Sequence, residues 1–295
     1  MKFVSAVFLF ILSGTFSFGQ IPAGYYNGTN GKSGDELKEQ LNDIIADHEE
    51  LSYKKCWTAL SILDQDPNNS ENIIGFYSRF SIPSAPDSNN RRKWDREHIW
   101  AKSRGDFGTR MGAGTDLHHL RAADKSTNSA RNNRSFDVCE KPYIDQGGDY
   151  KGPTDAKKGD DWTWEPPDNL KGDVARMMFY MVVRYEGENN EPDLELTNDL
   201  PDKYDKSPFH GKLSTLLIWH SADPVSTDEK TRNNLIYQNY QNNRNPFIDR
   251  PEFVSLIWEF EQNTPELEDT DELDPSNVLL KSVYQILEYF YLRFP

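Results

Sequence analysis

The middle of the chain alternates between extended and helical patterns within forty residues, and this alternation constrains the fold more than any other sequence feature. Residues 93–100 and 115–120 are each predicted to form a strand. Between them, residues 103–115 contain four glycines, which indicates a mobile loop. Residues 122–132 hold good helix formers without glycine or proline, so a helix should begin near Asp124. Strand, loop, strand and helix in this order predict an α+β fold.

Helical patterns flank this unit on both sides in the sequence. Predicted helices occupy residues 35–46, 54–63, 172–185, 213–220 and 232–239. β-Branched and aromatic residues over 73–82 predict a further strand, and the run rich in glycine, aspartate and lysine over 145–161 predicts a loop. We therefore expect a mixed core surrounded by helices.

The first nineteen residues have the pattern of a secretory signal peptide. Lys2 precedes an apolar run over residues 3–12, and small and polar residues lead to Gln20. Ten apolar residues are too few to span a bilayer of about 30 Å, and no later segment approaches the required length of about 20. These features predict a signal peptide over 1–19, no membrane span, and a protein that is secreted or periplasmic.

The remainder is predicted to form one catalytic domain over residues 20–262, followed by a separate tail over 263–295. The tail combines an acidic linker at 263–274 with an apolar, aromatic helix at 276–294. Cys56 and Cys139 are the only cysteines. An oxidising destination would permit one bridge between them, and two buried free thiols are the alternative. We expect a monomer.

The charge of the chain is unevenly distributed. Its formal net charge is −15, which is not typical of a protein that binds nucleic acid. Residues 91–134, however, hold eleven basic and five acidic side chains, a local net charge of +6. A polyanion could bind to this basic island, and a solvated charged loop is the alternative.

Three candidate residues in the same stretch carry the chemistry of a hydrolase. Glu97 and Asn128 offer the oxygen atoms that a hard divalent ion prefers, and His98 is adjacent to Glu97. A neutral imidazole can activate water while a metal neutralises charge on a phosphate. Adjacent strand residues face opposite ways, so Glu97 and His98 can share a site only where the strand ends or bends. On the helix, Asn128, Arg131 and Asn132 lie on one face.

Several motifs resemble those of the bacterial endonuclease I family. The core matches are REHIWAKS (96–103), TDLHHLR (115–121) and TNSARNN (127–133). Further blocks extend the resemblance over about residues 20–260: IPAGYY (21–26), LSYKKCWTAL (51–60), the segment 165–186 and the segment 219–254. The resemblance implies an exported nuclease with a ββα-metal (His-Me finger) core surrounded by helices.

By matching motif, the resemblance implies a role for each candidate residue. Glu97 and Asn128 would bind one divalent cation, which we expect to be Mg²⁺, with Mn²⁺ or Ca²⁺ as alternatives. His98 would be the general base. Asn132 and His118 would support these ligands or add one more.

The arginines of the same stretch are candidates for binding the scissile phosphate, because a guanidinium group grips a phosphate with two donors. They are Arg104, Arg110 and Arg131, and the first two could equally be solvated loop residues. Zinc is not expected at His118 and His119, since neighbours on a strand point apart and no cysteine accompanies them.

The predicted function is thus a metal-dependent, sequence-non-specific endonuclease that contacts the backbone phosphates of DNA, and of RNA as a second possible substrate. Two alternative functions remain open. One is a non-catalytic nucleic-acid-binding protein on the same fold, and the other is a secreted phosphoesterase that acts on small monoesters.

Overall fold

The computed structural model describes residues 21–258, and it contains both helices and sheets. The predicted signal peptide, the acidic linker from residue 263 and the last predicted helix lie outside these residues. Within the described part, no helix is long and apolar enough to cross a membrane.

The helices of the described residues surround a single long central helix. They are α1 (Gly34–Ile45), α2 (Lys55–Leu63), α3 (Lys125–Arg131), α4 (Lys171–Arg184), α5 (Leu213–Ala222), α6 (Thr227–Ile236), α7 (Pro246–Asp249) and α8 (Phe253–Ile257). All residues of α4 after its first are buried, and α1, α5 and α7 pack against it. Its two arginines are neutralised, because Arg176 pairs with Glu229 at 2.6 Å and Arg184 with Glu191 at 2.7 Å. The buried helix predicted over 172–185 is confirmed.

The strands form four small sheets. They are β1 (Gln65–Asp66), β2 (Asn69–Ile74), β3 (Ser81–Pro83), β4 (Trp94–His98), β5 (Leu120–Asp124), β6 (Ser135–Phe136), β7 (Lys141–Asp145), β8 (Gly152–Lys158), β9 (Thr163–Glu165), β10 (Glu195–Leu196) and β11 (Phe209–His210). The sheet orders are β1-β2-β3, β4-β5, β6-β9-β8-β7 and β10-β11. The predicted strand over 73–82 is therefore two paired strands joined by a turn. The loop predicted over 145–161 is wrong in part, because β8 lies within it.

The antiparallel pair β4 and β5, followed directly by α3, forms the unit that positions the candidate site. Glu97 pairs with Arg121, and His98 pairs with Leu120. The second strand was predicted at 115–120, but it begins only at Leu120. Asp116 explains the shift, because its side chain accepts a hydrogen bond from the backbone N–H of His118 at 2.8 Å and so forms a turn.

Both cysteines are buried and unbridged. Burial raises the pKa of each thiol to about 11. Cys139 Sγ lies 3.3 Å from the hydroxyl of Thr163, whereas Cys56 Sγ lies 3.6 Å from the carbonyl of Thr115. Of the two alternatives that the sequence left open, the structure has the free thiols.

Candidate active site

Glu97 and His98 lie at the point where β4 leaves its sheet. Both side chains are buried, with exposed fractions of 2% and 5%. The backbone carbonyls of His98 and Ile99 accept hydrogen bonds from the Arg131 guanidinium at 2.9 and 2.6 Å. These bonds satisfy backbone groups that the sheet no longer pairs, which stabilises the end of the strand.

Helix α3 brings the second half of the site to β4. Asp124 caps the helix, since its carboxylate accepts the backbone N–H of Thr127 at 3.0 Å. Asn128 is half-buried on the first turns, and Asn132 ends the helix with a positive φ of 56°. The spacing of four residues places Asn128 and Asn132 on one face, as the sequence predicts.

A single cavity of about 590 Å³ joins these elements. Its walls include five of the candidate residues, namely Glu97, His98, Asn128, Arg131 and Asn132. Other polar or basic side chains complete the lining, among them Tyr53, Asp95, Arg96, Lys102, Lys125 and Ser129. Lys102 and Lys125 are exposed, so the cavity opening is basic although the protein is acidic.

The environment of Glu97 suits a cation ligand. Its Oε1 accepts a hydrogen bond from the Tyr77 hydroxyl at 2.9 Å and lies 3.2 Å from Arg131 Nη1. Both contacts fall on Oε1, so Oε2 remains open to a cation. Burial raises the pKa of Glu97 to about 7, although Arg131 and Tyr77 lower it. A nearby carboxylate and amide oxygen are the donors that a hard divalent ion takes, so the residues present fit such an ion.

The imidazole of His98 is held in one orientation. Its Nε2 lies 3.1 Å from the backbone carbonyl of Gly114, and its ring stacks on Tyr53 with centroids 6.0 Å apart. Because a carbonyl only accepts, Nε2 carries the proton and Nδ1 of the neutral ring is the basic nitrogen. Burial, reinforced by His119, lowers the pKa of His98 well below its usual value. The ring is therefore neutral at pH 7, with the lone pair on Nδ1.

The three predicted phosphate-binding arginines have other positions or partners. Arg104 is fully buried, and its terminal nitrogens donate to the carbonyls of Asp205, Asn133 and Pro201. Arg110 is exposed on the loop, bonds the carbonyl of Asp106 and does not line the cavity. Arg104 thus supports the fold instead of making the predicted phosphate contact.

Arg131 does line the cavity, but its terminal nitrogens are occupied. Besides Glu97 and the two carbonyls at the end of β4, they contact the Asn132 carbonyl and His210 at 3.2 Å each. The structure gives Arg131 the role of holding Glu97 and the strand end in place. A phosphate contact would require some of these bonds to break.

His118 is buried and does not line the cavity. Its Nε2 is 3.2 Å from both the carbonyl and the side-chain oxygen of Asn243, and its ring packs against Tyr180. The neighbouring His119 bonds the carbonyl of Ala113 at 2.7 Å. The two imidazoles thus bond separate segments of the chain.

Sequence reasoning missed Tyr77, Tyr53 and Arg96. Tyr77 follows β2 in the turn before β3 and donates to Glu97 across twenty residues of sequence. Spacing cannot reveal such a contact. Tyr53 and Arg96 had a weaker signal, since both belong to blocks that carry the family resemblance.

The chain is similar to known proteins over most of its length. The chain matches the family described as Endonuclease I over residues 33–252. It is 50% identical over 234 residues to a protein named extracellular ribonuclease from Bacillus subtilis. The aligned region covers 79% of this chain and 78% of that relative. The chain is 49% identical, with the same coverage, to a protein of the same name from Bacillus amyloliquefaciens.

Proposed function

Because this chain belongs to the endonuclease I family and is therefore a nuclease, we propose that it is an exported, metal-dependent, sequence-non-specific endonuclease acting on DNA and RNA. The observation that carries the proposal is the single cavity lined by the carboxylate of Glu97, the imidazole of His98 and the amide of Asn128. In this proposal β4, β5 and α3 are the ββα-metal core of the family.

Two findings support export and activity on RNA. Both relatives are named extracellular ribonucleases, and each is about half identical to this chain. The predicted signal peptide over residues 1–19 agrees with an extracellular or periplasmic destination. The cavity opening carries the basic side chains of Lys102 and Lys125, which suit phosphates, so cleavage should depend on the backbone and not on sequence.

In the proposed mechanism His98 is the general base. The hydrogen bond from Nε2 to the Gly114 carbonyl leaves Nδ1 to accept a proton from the attacking water. Tyr53 limits rotation of the ring by stacking on it. Since burial keeps the imidazole neutral, no deprotonation is needed at pH 7 before it acts.

Glu97 and Asn128 would hold the cation through Oε2 and the amide oxygen. When bound, a divalent cation such as Mg²⁺ would supply positive charge beside the phosphate and the leaving oxygen. Tyr77 and Arg131 fix the Glu97 carboxylate through its other oxygen, and Asn132 lies next to the amide on the helix face. Mn²⁺ or Ca²⁺ could take the same oxygen ligands.

Nicking of supercoiled plasmid and cleavage of an RNA transcript test the proposal. We expect both substrates to be cut with Mg²⁺ or Mn²⁺, protected by EDTA, while p-nitrophenyl phosphate is not hydrolysed. His98→Ala should fold and bind metal but lose about 10²- to 10⁴-fold in rate, the usual contribution of a positioned base. Binding of nucleic acid without cleavage, or rapid hydrolysis of the monoester, would refute the proposal.

A further inference from the structure

Aromatic rings and guanidinium groups alternate along a surface that leads away from the cavity. The Arg96 guanidinium carbon lies 3.4 Å from the ring centroid of Tyr53 and 4.1 Å from that of Trp57. The Arg92 guanidinium carbon lies 4.8 Å from the same Trp57 centroid. Tyr53, Arg96, Trp57 and Arg92 thus form a stacked ladder, and its first ring rests on His98.

Two regular elements produce this ladder. Trp57 lies in the first turn of α2, and Tyr53 lies in the turn that leads into this helix. Both rings contact the guanidinium group of Arg96. Arg92, Trp94, Arg96 and His98 alternate along β4 and the residues before it, and alternate strand residues share a face. The same strand face therefore carries the ladder arginines and the proposed general base.

The ladder holds two positive charges close together without full neutralisation. The Arg96 guanidinium lies 3.5 Å from the carboxylate of Asp95, and the side chain of Asp95 is half exposed. Among residues 21–258, no acidic group pairs with Arg92, and the Nη2 atoms of Arg92 and Arg96 form no hydrogen bond. Burial, followed by repulsion from Arg96, lowers the pKa of Arg92. A site with this charge is suited to an anion.

The lysines of the LSYKKCW segment extend the charge. Lys54 and Lys55 lie between the two ladder aromatics in sequence, both are exposed, and neither forms a salt bridge within the described residues. Meanwhile, the three arginines first expected to bind phosphate are buried, occupied or outside the cavity. The ladder is thus the basic surface that continues from the cavity wall, since Tyr53 and Arg96 belong to both.

We propose that the stacked ladder, with Lys54 and Lys55, binds the backbone phosphates that flank the scissile phosphate on one side of the substrate. The ring faces of Tyr53 and Trp57 are already covered by guanidinium groups or by His98, so they are not available to stack on bases. Stacking instead fixes both guanidinium groups, of which Arg92 is half-buried and the Arg96 side chain is 11% exposed. Recognition is therefore of phosphates, equally in DNA and RNA. This inference rests on the proposed function.

Binding can be measured apart from cleavage in the natural chain with EDTA present, so that His98 still stacks on Tyr53. The probe is a fluorescein-labelled single-stranded DNA followed by anisotropy at several salt concentrations. We expect Arg96→Gln, Arg92→Gln and the double change Lys54→Gln with Lys55→Gln each to weaken binding about tenfold. The slope of log affinity against log salt should decrease by about 0.7 for each contact removed from a single strand. Arg250→Gln, outside the ladder and the cavity, is the matched control and should change neither quantity.

A purely structural role of the ladder predicts a different result. If Arg92 and Arg96 only stabilise β4, their variants should melt at lower temperature yet keep the affinity and the salt slope of the control, and that result would overturn the inference. Arg96→Lys should restore most of the salt slope but not the full affinity, because lysine keeps the charge without the planar stack.

In a separate assay, failure of the unmodified chain to cut plasmid and RNA would overturn the proposed function itself. Cutting with unaltered binding in all ladder variants would overturn the ladder alone.

Discussion

The Glu97 carboxylate is buried, and a buried carboxylate needs a positively charged partner. That partner is the Arg131 guanidinium, whose Nη1 lies 3.2 Å from Glu97 Oε1. Breaking one half of such a pair leaves an uncompensated buried charge, which costs about 3–5 kcal/mol. The sequence allowed Glu97, His98 and Asn128 to be selected because their residue types and motif spacing are informative. It could not predict Tyr77 as a partner or the burial of Arg104, since both depend on contacts made after folding.

Removing the side chain of either proposed cation ligand should weaken cation binding. Glu97→Gln removes a charge and Asn128→Ala removes an oxygen from a sparse set of ligands. We expect the affinity for Mn²⁺, measured by calorimetry, to fall by at least about 10- to 100-fold. Removing a residue that only supports a metal ligand already lowers metal affinity by this factor. Ser129→Ala, in the same cavity lining, is the control and should retain affinity. Unchanged affinity in both ligand variants would rule out this cation site.

In the unit of β4, β5 and α3, the sequence pattern predicts the order of the elements. The order strand, loop, strand, helix is correct, and β4 lies within its predicted range. The predicted start of α3 near Asp124 is confirmed. The strand predicted at 115–120 instead runs from Leu120 to Asp124, because pairing with β4 includes Ala122 and Ala123, which by themselves favour helix. Asp124 then ends the strand and caps the helix. Strand β8 was missed because its glycine, aspartate and lysine residues resemble a loop.

The cap of α3 gives a prediction about stability. Asp124 and Asp145 share the Ser126 hydroxyl, at 2.7 Å each, and burial together with Asp145 raises the pKa of Asp124. Asp124→Ala should lower the free energy of unfolding by about 0.5–2 kcal/mol through loss of the cap. Asp124→Asn keeps a good cap and removes the repulsion, so it should be at least as stable as the natural chain at pH 7. Urea denaturation would measure both, and equal losses in the two variants would contradict the capping role.

Across the whole molecule, Asp116 joins the long loop after β4 to the helical layer. Its buried carboxylate accepts the hydroxyls of Tyr180 and Tyr185 at 2.8 and 2.9 Å, and the amide of Gln241 at 3.0 Å. Because the same loop carries the Gly114 carbonyl that orients His98, this network links the helical core to the candidate site. The contacts span 64 to 125 residues of sequence, so no local pattern could predict them.

The Asp116 network predicts a pH dependence of stability. Burial alone would raise the pKa of Asp116, but His48, His118, His119 and Gln241 together hold it well below its usual value. A depressed pKa in the folded state means that the carboxylate stabilises the fold above about pH 4, the unfolded value, and that this stability is lost as the pH falls further. Asp116→Asn should lower the free energy of unfolding by about 3 kcal/mol at pH 7, since it removes a buried charged acceptor. The difference from the natural chain should shrink below about pH 4; a difference independent of pH would contradict this assignment.

The two cysteines of this chain, separated and buried, leave it without any covalent cross-link. A secreted protein commonly relies on an oxidising compartment to lock its fold. Here the folded state contains no disulfide, and burial raises the pKa of both thiols, which disfavours the thiolate that exchange requires. The fold therefore requires no disulfide bond and no oxidoreductase to form one.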